Sequence, residues 1–274
     1  MGLPVFLMLT CALGVRRPTL PPAHPFISKR VKRLLLPWLA WFGIYAAFSI
    51  ARATLGQHTE PAFAWFDPYM LLFGPTIELW FLPYAFAAGI ATYSVVRFTS
   101  GFRSSFVIMG AMMVGIAALM AVEFYDWSFF PSPFPQWVFG AASVPFGVAL
   151  GRVIRVVTRT ASPPWKQLVI AASACLLVWL IGMTLPGEDL YTISRFFLAI
   201  GLILAVLAFP GKRDRITDAI LPMLFGIYLV HAMVIDVGRH QLAEMPRLAA
   251  VAAVFAVSVA AVMVMRKTPM KAVV

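Results

Sequence analysis

Long apolar runs alternate with short polar connections along almost the whole chain. The runs span roughly Leu3–Val15, Leu34–Ala51, Met70–Phe98, Phe106–Phe124, Trp137–Val157, Leu168–Leu185, Phe196–Phe209, Ala219–Val237 and Leu248–Met265. Most reach the ~20 residues that a helix needs to cross a hydrocarbon core. Leu3–Val15 reaches only ~20 Å of a ~30 Å core, and the run from Phe196 is also short. In lipid a backbone must satisfy its own hydrogen bonds, so every run is predicted to be a helix. The pattern predicts an all-α protein, a polytopic membrane bundle of about nine transmembrane helices forming a single domain over residues 1–274. No internal repeat interrupts it. Pro131, Pro133 and Pro135 mark a stiff connection among aromatic residues.

Charge adds an orientation. Lys29, Arg30, Lys32 and Arg33 stand immediately before the apolar run from Leu34, with Arg16 and Arg17 upstream, and form the most basic loop in the chain. Cations mark the cytoplasmic side of membrane helices. Counting from this loop, alternate connections hold Arg97 and Arg103, then Arg152, Arg155, Arg159 and Lys166, then Lys212, Arg213 and Arg215, then the tail Arg266, Lys267 and Lys271. The other connections hold most of the carboxylates: Glu60, Asp67, Glu123, Asp126, Glu188, Asp189 and Glu244. Adding or removing one span would destroy this alternation, so the expected topology is N-out and C-in.

The composition excludes a soluble domain. The 274 residues are 61% hydrophobic and 12% charged, whereas soluble domains carry about 25% charged residues. A net charge of +11 invites a nucleic-acid reading, but cations confined to short loops between apolar runs need no polyanion partner. Cys11 and Cys175 lie within apolar runs and read as small buried hydrophobes. No metal-ligand spacing and no phosphate loop is present, and His24, His58 and His240 sit in loops with no assigned role.

Ionisable residues inside spans are candidates for function. Glu78 lies ~9 Å into a span entered from outside, and His231 lies ~18 Å above the inner end of its own span. The two depths agree well enough to allow a contact, although the sequence does not make the helices neighbours. Tyr228 shares a helix face with His231, and Trp80 and Arg195 are further candidates for lining the same cavity. Plainer readings stand beside these. His231 satisfies one buried hydrogen bond, Glu78 caps a helix broken between Pro75 and Pro83, and Trp80 and Arg195 anchor at the interface. Arg30 and Arg33, three apart on one helical face, either set topology alone or grip a phosphate group with their guanidinium forks.

Four elements then carry a family resemblance: Pro4-Val5-Phe6-Leu7-Met8-Leu9-Thr10-Cys11, Arg30-Val31-Lys32-Arg33 before Pro37, Leu79-Trp80-Phe81-Leu82, and Gly226-Ile227-Tyr228-Leu229-Val230-His231. In this order, with this topology, the chain resembles the acyltransferase 3 family of integral-membrane O-acyltransferases. Thr10 and Cys11 replace a usual Ser-Gly, and Glu78 stands where many members have His. The family has ten spans, with an Arg and a proposed catalytic His on the first. This sequence begins at the equivalent of the second, which carries the expectation of a misplaced start at Met1 or a truncated, inactive member.

The resemblance implies O-acyl transfer, in its expected form O-acetyl, from cytoplasmic acetyl-CoA or another acyl-CoA to a hydroxyl of a cell-surface or envelope glycan. The partners would be acyl-CoA as cosubstrate, the glycan or other hydroxyl acceptor, and the lipid bilayer of the cell (inner or plasma) membrane, with no bound cofactor and no nucleic acid. Imidazole suits the activation of a hydroxyl, so His231 with Glu78 are the catalytic candidates; if the family's first-span His is the base, His231 instead binds or orients substrate. Arg30, Arg33, Trp80, Tyr228 and Arg195 are the substrate-binding ones. The alternative class is a non-catalytic family remnant or a transporter-like protein.

Overall fold

The structure is a computed structural model describing residues 2–15, 20–54, 77–127, 129–130, 134–157, 165–184, 189–209 and 215–273. All regular structure among these residues is helical. In chain order the helices are α1 (Gly2–Val15), α2 (Ala23–Arg30), α3 (Leu36–Thr54), α4 (Phe81–Phe98), α5 (Ser104–Phe124), α6 (Phe134–Ala141) and α7 (Ser143–Val157). They continue as α8 (Trp165–Thr184), α9 (Asp189–Ala208), α10 (Arg215–Ile220), α11 (Leu224–Val237), α12 (Arg239–Ala243) and α13 (Arg247–Met265). Seven helical stretches among the described residues are long and apolar enough to cross a membrane, and the apolar helices Pro4–Val15 and Ile193–Ala208 are shorter. The protein is therefore an all-helical, multi-pass membrane protein.

Prolines place several breaks that the apolar runs do not reveal. Between α2 and α3 the chain does not open into the expected loop. Lys29 and Arg30 end α2, and Val31–Leu35 form a widened π turn that leads directly into α3, with Leu36 N–H donating to the Val31 carbonyl. Pro37 has no N–H and its ring crowds the carbonyl four residues back, so a regular α turn cannot pass through it. One extra residue in the turn removes that conflict. The run from Trp137 breaks at Ala142, between α6 and α7, where Pro145 likewise cannot donate. A 3₁₀ turn, Ile77–Trp80, precedes α4, with Pro83 in that helix's first turn, where a missing N–H costs nothing.

The chain forms two compact units: Met1–Ile27 with Tyr84–Gly211, and Ser28–Pro83 with Lys212–Val274. In the first, α1 lies along α7 on a seam of small residues. A Cβ on Gly147 would come 2.5 Å from Cys11 Cβ and 2.7 Å from the Met8 carbonyl; on Gly151 it would come 2.5 Å from Val15 Cβ and 2.7 Å from the Ala12 carbonyl. Both numbers rise together along the two helices, so α1 and α7 run parallel. Small residues four apart let membrane helices meet backbone to backbone, which gains dispersion where lipid offers no hydrophobic drive. α5 and α7 meet at Gly115, whose place for a Cβ is taken by the Phe146 ring. α8 and α9 form an antiparallel pair, Gly201 against Ala172 and Cys175. Phe146 and Phe196, both fully buried, centre this core with Leu119 and Ala142.

Candidate functional site

The second unit holds most of the candidate residues. α3 buries one face, Pro37, Trp38, Trp41 and Tyr45, at helical spacing. Two links tie that helix to α11. The Tyr45 hydroxyl donates to the Leu229 carbonyl at 2.7 Å, and Arg52 forms an ion pair with Asp236. The offset in residue number is the same in both, so α3 and α11 run parallel in fixed register. Trp41 Nε1 donates to the Val273 carbonyl at 2.9 Å, which holds the C-terminal segment to the same helix. α13 packs along α11.

On α11 the His231 ring is half-buried. Its Nδ1 lies 2.5 Å from the Tyr228 carbonyl oxygen. A carbonyl only accepts, so Nδ1 carries the proton and Nε2 presents a lone pair. Among the described residues Nε2 has no hydrogen-bond partner. This tautomer is the one able to take a proton from a hydroxyl at Nε2.

A row of rings leads away from His231. The His231 and Tyr228 centroids are 5.5 Å apart, Tyr228 meets Phe81 edge-on at 5.3 Å, and Phe81 meets Trp80 at 6.2 Å. Two motifs separated by some 150 residues of chain are thereby joined, because the Ile77–Trp80 turn packs directly on α11. Trp80 and Phe81 are buried. Glu78 belongs to that same turn; its side chain lies outside the described residues, so the Glu78–His231 contact expected from matching depths lies there too.

The remaining candidates belong to other elements. Arg30 ends α2, half-buried, and Arg33 is exposed within the π turn. α3 rises from this turn, and fourteen residues at 1.5 Å each put the level of His231 ~21 Å above Arg33. Arg195 belongs to the first unit, on α9 beside the buried Phe196, whereas Trp80 belongs to the second. Among the described residues no group of three metal-ligating side chains occurs.

Sequence reasoning passed over Tyr45, Arg52 and Asp236. Tyr45 sits in an apolar run like any interfacial tyrosine, and the Arg52–Asp236 pair spans 184 positions, so no local signal marks either. No curated protein and no solved structure matches the chain. A family model described as an acyltransferase domain, that of the acyltransferase 3 family, matches residues 1–267. With a match over nearly its full length, four motifs in order and an all-helical membrane architecture, the chain belongs to the acyltransferase 3 family of membrane acyltransferases.

Proposed function

We propose that the protein transfers an acyl group, in its simplest form acetyl, from cytoplasmic acyl-CoA to a hydroxyl of a cell-surface or envelope glycan, in a nine-span N-out, C-in topology in the cell membrane. The observation that carries this reading is His231, held by the Tyr228 carbonyl in the tautomer of a base and set in a row of buried aromatic rings. In this reading Nε2 takes the acceptor's proton as its oxygen attacks the thioester carbonyl. The tetrahedral intermediate then expels the CoA thiolate, which leaves with that proton as the thiol. Trp80 and Tyr228 shape the acceptor pocket, and Glu78 orients the acceptor from the turn packed against α11.

Arg30 and Arg33 take the donor's phosphates. An acyl-CoA carries its charge at one end and its thioester at the end of a long flexible arm. The ~21 Å rise of α3 from the basic turn to the level of His231 suits such a molecule. Guanidinium forks bind phosphate with charge-assisted hydrogen bonds worth about 1.5–3 kcal/mol each.

The test is transfer of radiolabelled acetyl from acetyl-CoA to purified envelope glycan by the protein in liposomes. Label should pass to glycan with wild-type protein and fail with His231→Ala. The double variant Arg30→Gln, Arg33→Gln, with Lys29 and Lys32 kept to preserve orientation, should raise the acetyl-CoA concentration needed for half-maximal rate. Movement of intact solute without label transfer would replace this reading with a transporter.

A further inference from the structure

We propose that the first unit contains a phosphate-binding site at Arg152, a reading independent of the acyl-transfer one. Arg152 lies on α7, about one and a half turns from its end, and is 4% exposed. Its Nη2 donates to both the carbonyl and the hydroxyl of Thr99, each at 3.1 Å, at the end of α4. The Thr99 hydroxyl passes its own proton to the Val95 carbonyl at 2.7 Å. Nε is buried and has no partner among the described residues. Thr99 thus fixes one corner of the guanidinium and leaves Nε unused.

A buried cation is costly unless an anion answers it. The first unit offers none at this end. Its carboxylates are Glu123, Asp126, Glu188 and Asp189. Glu123 is at the far end of α5, which starts at Ser104 beside Thr99, and Asp126 follows it. Asp189 opens α9, a full helix away from the start of α8, and Glu188 lies outside the described residues. Each of these helices is ~30 Å long, which keeps the described carboxylates of this unit away from Arg152. Cations crowd that end instead: Arg97 two residues before Thr99, Arg103 just before α5, Arg155 one turn beyond Arg152, and Lys166 at the start of α8. The partial negative charge at the C-terminus of α4 answers part of the Arg152 charge. In this proposal a bound anion supplies the rest of the counter-charge. A fixed guanidinium with free N–H groups among further arginines fits the oxygens of a phosphate group.

Two sources carry that chemistry: the headgroup of an anionic phospholipid and a soluble phosphate. Thermal unfolding of the full-length protein in neutral detergent separates them, with phosphatidylglycerol against phosphatidylcholine in one arm and inorganic phosphate or adenosine 3′,5′-bisphosphate in the other. Wild type should gain about 5 °C with an anionic probe well above its dissociation constant. Arg152→Lys, which keeps the charge and loses the fork, should show a smaller gain. Arg152→Met, like Arg152→Lys compared in the Arg30→Gln, Arg33→Gln background so that the basic turn takes no probe, should show none, and should melt no lower than that background when no anion is present, because it removes an uncompensated charge. A gain with phosphatidylglycerol alone identifies a lipid site, one with the soluble probes alone a phosphate or nucleotide site, and one with both a site for phosphate in either form. The proposal is overturned if no probe raises the wild-type melting temperature, which needs no variant to fold. It is equally overturned if Arg152→Lys or Arg152→Met keeps the full gain of that background, since Arg152 would then do no more than cap α4.

Discussion

The two units solve the same problem, packing helices in an apolar solvent, by different means. The first relies largely on absence of side chain: Gly115, Gly147 and Gly151 let helices or rings approach where a Cβ would collide, with Arg152–Thr99 and Tyr93–Pro21 as its polar links. The second relies on polar hooks: Tyr45, Trp41 and Arg52 each reach from α3 to a polar group far along the chain. Glycine seams are rigid and chemically inert. Hooks hold a helix by a few directed bonds and leave polar atoms between helices, which is the setting a catalytic imidazole needs. Under the proposed function, the contrast makes the first unit mainly scaffold and the second the bearer of the acyl-transfer residues.

The sharpest way to break that contrast is His231→Ala. Loss of a positioned base should lower acyl transfer by about 10²–10⁴-fold with thermal unfolding unchanged, measured by label transfer and by melting in detergent. A variant that keeps full activity would make α11 scaffold as well. Next comes Gly151→Leu in the first unit. A side chain there meets Val15 and the Ala12 backbone, so overpacking should cost about 3 kcal/mol or more and lower the melting temperature. Gly110→Ala, where a Cβ meets nothing within 4 Å, should hold or gain stability.

Smaller effects sharpen the account of the hooks. Tyr45→Phe removes one buried hydrogen bond and should cost about 1 kcal/mol. It should also lower transfer several-fold by loosening the register of α11, whereas an effect on stability alone would separate that hook from the chemistry. The smallest effect belongs to Arg52 and Asp236. Both are partly exposed, at 23% and 41%, and a double-mutant cycle should give a coupling below about 1 kcal/mol.

The apolar runs made the helices legible before any coordinates. Hydrophobicity sustained over a span length admits one backbone solution in lipid, and the runs from Leu34, Phe106 and Leu248 fall on helices of that length. Two motif elements are neighbours, Phe81 meeting Tyr228 edge-on, a contact that no spacing in the sequence marks. What stayed hidden depends on partners. Gly147 and Gly151 are four apart in plain sight, yet nothing local says that α1 fills their groove. Arg152 reads as one more loop cation, because only tertiary packing buries it. The basic stretch read as a loop because its cations resemble topology signals, while a π turn leaves no mark in hydropathy.

That π turn at Val31–Leu35 bears on how the sequence is free to vary. It holds one residue more than an α turn would, so it is a place where chain length can change while the helix beyond keeps its phase. A one-residue deletion within α3 would swing Tyr45 by ~100° away from Leu229 and unhook Arg52 from Asp236. The same deletion in the widened turn would be absorbed there, leaving α3 seated and altering only how the cations are presented. Relatives should therefore tolerate insertions and deletions beside Arg33 but not beyond Trp41, so the presentation of the basic turn can evolve without disturbing the helix that carries His231.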